Sequence, residues 1–322
     1  MDNRPLVSVV VPCYNKERYV ERTLSSLCAQ KYSNFEVKIV DDCSTDRTWE
    51  IVQGFVAKDS RFAAERNAVN KGGDYCRNRG AALSKGKYLI FLDADDWLAE
   101  DCLAVRVAEM EKDAAGEWDM IVFPSISSKG GRLYNYMALR EGADPVLGFL
   151  RMDSPWQTMM PIWRRTSFER FGGFDEAFPR LQDVEIFSRV LIGGAKVKAS
   201  ERTTYDCYYC DEDARMMDFD KLARKSVAGM LMFLNKMSGL VKTKTQSAAL
   251  AETELSAIRT VGDIYQMGGI DAGLRDELYA NILSRPNASG WSWLYARCYR
   301  LKTNKLRGFN WLFIRIYRFF MY

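Results

Sequence analysis

The chain has 322 residues, 48% apolar and 27% charged, enough to bury a core in one large domain or two of ordinary size, so wholesale disorder is excluded. It contains no histidine, which excludes a Ser-His-Asp triad, His acid-base catalysis and His metal ligation. The formal net charge of +4 hides a gradient: both signs mix through the first two-thirds, whereas the stretch after Ser289 holds seven Lys or Arg and no acid.

Residues 6–12, "LVSVVVP", are β-branched and continuous, the pattern of a strand covered on both faces. Residues 16–30 follow with Val20, Leu24, Leu27 and Cys28 at helical spacing. A second unit pairs the strand "FEVKIVDD" (35–42) with the helix "STDRTWEIVQGFVAKD" (44–59), whose Ser, Thr and Asp are N-cap candidates. An extended piece at 62–68 leads through the turn "NKGGD" to the helix "YCRNRGAALSKG" and then to the strand "KYLIFLDADD". A helix over about 99–115 and a strand over 119–126 continue the alternation. This order predicts an α/β fold with a mostly parallel central sheet flanked by helices. Residues 127–180, rich in Gly, Pro and aromatics, predict loops and short strands with a helix at 164–172. A helix over 182–194 and a short strand before "YDCYYC" close a first domain, 1–216, and the helical spacing from 219 to 286 predicts a helical C-terminal region, 217–322.

Eight scattered cysteines, several in apolar segments, fit reduced core thiols and a reducing compartment. The first apolar run is ended by Pro12, too soon for a secretion signal, and no stretch reaches the ~18 apolar residues of a membrane span. A cytoplasmic protein is expected, at the inner face of the cell membrane. The tail, 291–322, interleaves aromatics with Arg and Lys, as a segment lying on an anionic bilayer does; the other reading is a basic helix packed on the catalytic domain. No nucleic-acid motif accompanies that charge, so no nucleic-acid partner is expected.

In an open α/β sheet the ligand crevice lies beyond the carboxyl ends of the strands. Three predicted strands end in polar clusters there: Pro12, Tyr14 and Asn15; Asp41 and Asp42; and Asp93, Asp95 and Asp96. Acids crowded at one strand end repel one another unless a cation offsets them, and a hard divalent ion, Mg²⁺ or Mn²⁺, is the simplest compensator. The alternative is that they merely open the next turn, with Asp96 capping the following helix.

The ordered set "VSVVVPCYNKERYV", "FEVKIVDDCSTDRTWEI", "NKGGDYCRNRGAALSKGKYLIFLDADDW", "FGGFDEAF" and "QDVEIFSRV" resembles the motifs of family 2 inverting glycosyltransferases of the GT-A fold, over roughly residues 6–195. The resemblance implies that Pro12, Tyr14 and Asp42, with Asp41 beside it, bind the nucleotide base, and that Arg77 approaches the nucleotide or its phosphates. It implies that Asp93 and Asp95 form the Asp-x-Asp motif that places the ribose and holds the metal, and that Asp183 is the catalytic base. The partners it implies are a nucleotide-sugar donor, a uridine diphosphate sugar, and a glycan or lipid-linked acceptor in bacterial envelope polysaccharide synthesis. Two departures stand out. Gln182 replaces the usual Glu before the base, which removes a like charge from beside it. The family's later His is absent from "TTYDCYYCDEDAR", where Cys207, Cys210, Asp211 or Asp213 are the substitutes on offer.

Several motifs have plain readings. "CYYC" has zinc or redox spacing but lacks a second pair, so ordinary thiols are expected. "NKGGD" could cradle phosphate, yet a plain loop suffices. In "FGGFDE" the glycines supply backbone freedom. Trp156 and Trp163 could stack on sugar or belong to the core. Two rival functions stay open: a nucleotidyltransferase, which would need a Gly-rich basic loop that "VPCYNKERY" lacks, and a non-catalytic relative, which would have lost an acid.

Overall fold

The computed structural model describes residues 4–211 and 219–284, together with 292, 294 and 296. The elements run β1 (Val7–Cys13), α1 (Val20–Cys28), β2 (Phe35–Asp41), α2 (Thr48–Lys58), β3 (Phe62–Arg66), α3 (Gly73–Ala82), β4 (Tyr88–Phe91), β5 (Trp97–Leu98) and α4 (Cys102–Glu111). There follow β6 (Met120–Val122), β7 (Ser125–Lys129), β8 (Arg132–Met137), α5 (Pro145–Leu150), β9 (Pro161–Arg164), α6 (Arg165–Arg170), α7 (Gln182–Ile192), β10 (Val197–Ala199) and β11 (Cys207–Cys210). Among the described residues three longer helices follow: α8 (Phe219–Ser238), α9 (Lys244–Gln266) and α10 (Ala272–Leu283).

The main sheet has seven strands in the order β10-β6-β9-β4-β1-β2-β3. Every pair is parallel except those of β9, which runs antiparallel to both β4 and β6. β1 lies between β4 and β2, with Val10 level with Phe91 and Cys13 level with Asp41, so the carboxyl ends of these three strands are neighbours. Val7, Val9, Val10 and Val11 are fully buried, as the continuous apolar run requires. Glycine allows the chain to close on this strand: a Cβ on Gly86 would lie 2.6 Å from the Ser8 backbone nitrogen, and one on Gly80 of α3 would lie 2.3 Å from Val10.

A second sheet has the order β5-β11-β7-β8. The expected strand 119–126 is in fact two, β6 and β7, belonging to different sheets, and Pro124 stands in the break between them. The small sheet is tied to α4 by Arg106, whose guanidinium grips Asp206 through two bonds of 2.9 and 2.7 Å and the Met159 carbonyl through a third of 2.9 Å. Both partners of this ion pair are fully buried. The helix expected over 99–115 is shorter, α4 starting at Cys102 after Asp101, so Asp96 does not cap it.

Among the described residues the chain divides into two compact units, one of 4–143, 155–176 and 193–211, the other of 144–154, 177–192 and 219–284. The first holds both sheets. The second holds α5, α7 and α8–α10, the last three packed around Val227, Leu255, Ile258, Val261, Leu278 and Ile282. Within it Phe149 of α5 packs on Phe187 of α7 with ring centroids 5.1 Å apart, and Glu185 of α7 is buried against Arg189 and Lys236. The expected domain boundary at 216 lies outside the described residues, as does the tail 291–322 except for 292, 294 and 296. Among the described residues no helix is long and apolar enough to cross a membrane.

Candidate active site

The loop after β4 places its three acids differently. Asp93 is the most open, its side chain 40% exposed, and its Oδ1 accepts from Arg77 Nη2 at 2.6 Å. Asp95 is 21% exposed and pairs with the ammonium of Lys16. Burial is the main force raising the Asp95 pKa, the Asp93 charge adds to it, and Lys16 opposes both. Asp96 is buried, and its carboxylate accepts the Cys210 backbone N–H at 2.8 Å. Burial first, then the charges of Asp93 and Asp95, push its pKa well above the ordinary carboxylate value. Asp96 therefore ties β11 to the acidic loop, while Asp93 stays half-open and Asp95 sits largely buried beside Lys16.

Arg77 reaches the site from α3. Its side chain is 6% exposed, its Nη1 lies 3.3 Å from Asp74 one turn earlier, and its guanidinium sits 5.4 Å from the Phe174 ring centroid. Phe174 is positioned in turn by Asn78, which exchanges two 2.9 Å hydrogen bonds with its backbone and also holds Glu176 at 2.8 Å. The "FGGFDE" turn thus packs on α3. It needs its glycine, because Gly173 has φ +66 and a Cβ there would fall 2.6 Å from Asn78 Oδ1.

At the end of β2, Asp41 is fully buried and accepts from the Ser44 backbone and hydroxyl at 3.1 and 2.5 Å, with Arg66 Nε at 3.1 Å. Asp42 accepts three bonds of 2.8 Å, from Asn67 Nδ2 and from the backbone N–H groups of Lys71 and Gly72. The amides of "NKGGD" are aimed at this carboxylate, which favours the plain-loop reading over a phosphate cradle. Pro12 is partly buried and the Tyr14 ring is 45% exposed at the end of β1. Asn15 turns the chain with φ +51 while its Oδ1 accepts from the Thr45 backbone at 2.8 Å, joining the first two strand ends.

The strand order brings Pro12, Tyr14, Asp41, Asp42, Arg77, Asp93 and Asp95 to one edge of one unit. Asp183 lies in the other unit, in the first turn of α7, partly buried and two residues after Leu181, which has φ +70. Sequence reasoning missed Lys16 and Arg22. Lys16 neutralises Asp95 from 79 residues away, and Arg22 donates to the Asp95 carbonyl at 3.0 Å while lying 4.0 Å from the Trp97 ring centroid. The only signal for Lys16 was its place directly after "PCYN". Trp156 and Trp163 are core residues, 0% and 1% exposed. Cys207 and Cys210 sit three apart on a strand, which turns their side chains to opposite faces and is wrong for a shared metal; the Cys207 thiol donates to the Pro124 carbonyl. Asp211 is engaged by the Tyr134 hydroxyl, with Lys129 Nζ at 3.7 Å, and Asp213 lies outside the described residues.

Among the described residues no three acidic or thiol side chains form a closed metal cage. Asp93 and Asp95 nonetheless suit Mg²⁺ or Mn²⁺. Both offer hard oxygens, both are accessible, and such ions commonly take one or two carboxylates and fill their shell with substrate phosphate and water.

The mostly parallel sheet flanked by helices is that of the GT-A fold, and residues 8–169 match the model of glycosyl transferase family 2. The chain belongs to that family. It is 39% identical over 101 residues to an uncharacterized glycosyltransferase of Haemophilus influenzae, a match covering 31% of this chain and 40% of that one. It is 25% identical over 288 residues to glycosyltransferase GlyG of Streptococcus pneumoniae, covering 86% of each. It is also 37% identical over 106 residues to WfaP of Escherichia coli, named a UDP-Glc:alpha-D-GlcNAc-diphosphoundecaprenol beta-1,3-glucosyltransferase, covering 33% of this chain and 41% of that one. Among solved structures it resembles S. aureus TarS 1-349 in complex with UDP-GlcNAc, with TM-score 0.64 at 18% identity, over 93% of this chain and 91% of the other. It resembles mannosyltransferase PcManGT of Pyrobaculum calidifontis in complex with GDP-Man and Mn²⁺ less closely, with TM-score 0.54 at 16% identity, over 95% and 89%.

Proposed function

We propose that this protein transfers a sugar, with inversion, from a uridine diphosphate sugar to a hydroxyl of a glycan or lipid-linked acceptor in bacterial envelope polysaccharide synthesis. The observation that carries this reading is the meeting of the β1, β2 and β4 ends, where two accessible carboxylates, Asp93 and Asp95, stand beside Arg77 and Lys16. WfaP, whose name specifies a uridine diphosphate donor and a lipid-diphosphate acceptor, supports the choice of substrates.

In this mechanism Pro12, Tyr14 and Asp42, with Asp41 beside it, bind the base, and Asp93 and Asp95 place the ribose and would hold the metal. A bound Mg²⁺ or Mn²⁺ supplies charge neutralisation for the leaving diphosphate. Arg77 and Lys16 add fixed positive charge at the same edge, which favours departure of the nucleotide without proton transfer. Asp183 removes the proton from the acceptor hydroxyl as it attacks the anomeric carbon, and the nucleotide leaves from the opposite face. With Gln182 in place of a Glu, the base has one fewer like charge beside it. The same reading takes 1–216 as the catalytic domain and 217–322 as a helical region whose tail rests on anionic membrane at the cytoplasmic face.

The test is calorimetry of UDP binding with and without Mn²⁺. Asp95→Ala should abolish the Mn²⁺-dependent gain in affinity; an unchanged gain contradicts the assignment of the metal.

A further inference from the structure

β11 connects the acidic loop to an exposed aromatic face. It pairs with β5, Leu98 with Cys207 and Trp97 with Tyr208, and just beyond Tyr209 the Cys210 N–H donates to the Asp96 carboxylate. On its other side Tyr209 pairs with Ser127 of β7, and Ser127 pairs with Tyr134 of β8. In an uninterrupted strand Tyr134 and Tyr136 would share a face. Asn135, at φ +52, lies where the β7–β8 register shifts, so Ser127 opposes Tyr134 while Ile126 opposes Tyr136. The bulge thus turns Tyr134 to the face of Tyr209. Tyr136 goes to the opposite face with Tyr208 and Trp97, whose rings stack 4.9 Å apart.

The first face remains open. Tyr134 is 38% and Tyr209 37% exposed. The Tyr134 hydroxyl is fixed by the Asp211 carboxylate, so the ring is held by its polar end. Tyr209 is close enough to the site for the charges of Asp96 and Asp95 to add to the effect of burial in raising its pKa.

We propose that Tyr134, Tyr209 and Asp211 form the landing site for a pyranose unit of the acceptor glycan, next to the carboxylates that follow β4. This rests on the transferase reading above. A pyranose ring presents C–H bonds on one face and hydroxyls around its edge. Two tyrosine rings on one face of the small sheet, from β8 and β11, match the C–H surface, and the Asp211 carboxylate accepts hydroxyl hydrogens. Fixing Tyr134 in advance lowers the entropy lost on binding. An anionic lipid headgroup is the poorer occupant, because Asp211 and the acids beside Tyr209 repel phosphate.

Saturation-transfer NMR on the full chain, with cellotetraose, chitotetraose and maltotetraose as probes, tests the proposal. At least one probe should take saturation on its C–H protons. Tyr134→Ala and Tyr209→Ala should each cut that signal by about tenfold. Tyr209→Phe keeps the ring and should retain the signal, as should Tyr136→Ala on the opposite face. Asp211→Asn provides a milder surface change that should also weaken it should the alanine variants fold poorly by circular dichroism. Three outcomes overturn the proposal: no signal from any probe with the wild type, equal signals in the Tyr134 and Tyr209 variants, or loss confined to Tyr136→Ala. Binding to phosphatidylglycerol vesicles that the same variants abolish, with no sugar signal, likewise overturns it in favour of lipid. UDP calorimetry on the wild type separates the two claims: UDP binding without a sugar signal removes only this face, while a sugar signal without UDP binding removes the transferase reading.

Discussion

Arg77 and Asp93 form a 2.6 Å ion pair between unequal partners, the arginine side chain 6% exposed and the aspartate 40%. The buried member is fixed by Asp74 and Phe174, so the open carboxylate is held at one place on the rim while still reachable by ligand. Arg77→Met should weaken UDP binding by about tenfold, the scale of one charge-assisted hydrogen bond. Calorimetry checks this; the variant should also melt earlier, because Asp74 loses its buried cation.

Arg106 and Asp206 carry no chemistry in this account, yet they should be the costliest charges to remove. Asp206→Asn or Arg106→Leu leaves one fully buried charge without its partner, a loss of about 3–5 kcal/mol. Urea denaturation measures it. A loss below about 1 kcal/mol, the range of exposed pairs, contradicts the account of how α4 and the small sheet are joined.

Gly86→Ala should destabilise the first unit by about 1–3 kcal/mol, because the new methyl meets backbone atoms of Ser8 and Leu6 that cannot rotate away. Thermal melting reads the effect, and the same substitution at Gly54, where nothing lies within 4 Å, is the matched control.

Asp113 gives a pH signature. Burial raises its pKa, but the Trp118 and Glu117 amides and Arg164 outweigh it and bring it to about 2. A carboxylate lowered in the folded state stabilises above its unfolded value of about 3.9 and loses that contribution as pH falls through about 2. Asp113→Asn should therefore melt earlier than the wild type at pH 7, and the gap should narrow as pH drops from 4 towards 2.

The strands that build the site were legible because each is a continuous apolar run ended by polar residues. β1, β2 and β4 needed no partner to be seen, and their alternation with helices implied the parallel order. β9 was foreseen only as one of the short strands of 127–180: a four-residue strand inside an aromatic, Gly-rich segment carries little periodicity, and its antiparallel place between β4 and β6 is set by tertiary pairing. β11 was hidden by its cysteines. "CYYC" reads as a thiol motif until its burial pattern shows a strand with thiols on opposite faces. Within the site, Asp93 and Asp95 stood out as acids at a strand end, whereas Lys16 became visible only once folding joined it to Asp95 across 79 positions. For Asp96 the sequence offered only a cap on the following helix as the alternative to a site role, because its bond to Cys210 spans 114 positions that local sequence does not connect.

The most direct test of the central claim is release of nucleoside diphosphate from a panel of UDP- and GDP-sugars, supplied with Mn²⁺ and a mixture of glycan and lipid-linked acceptors, by the full chain and by Asp183→Asn. The wild type should release the diphosphate from at least one UDP-sugar, and Asp183→Asn should lose that release while keeping nearly unchanged UDP affinity. Turnover by Asp183→Asn equal to that of the wild type, or no release from any donor, would contradict that claim.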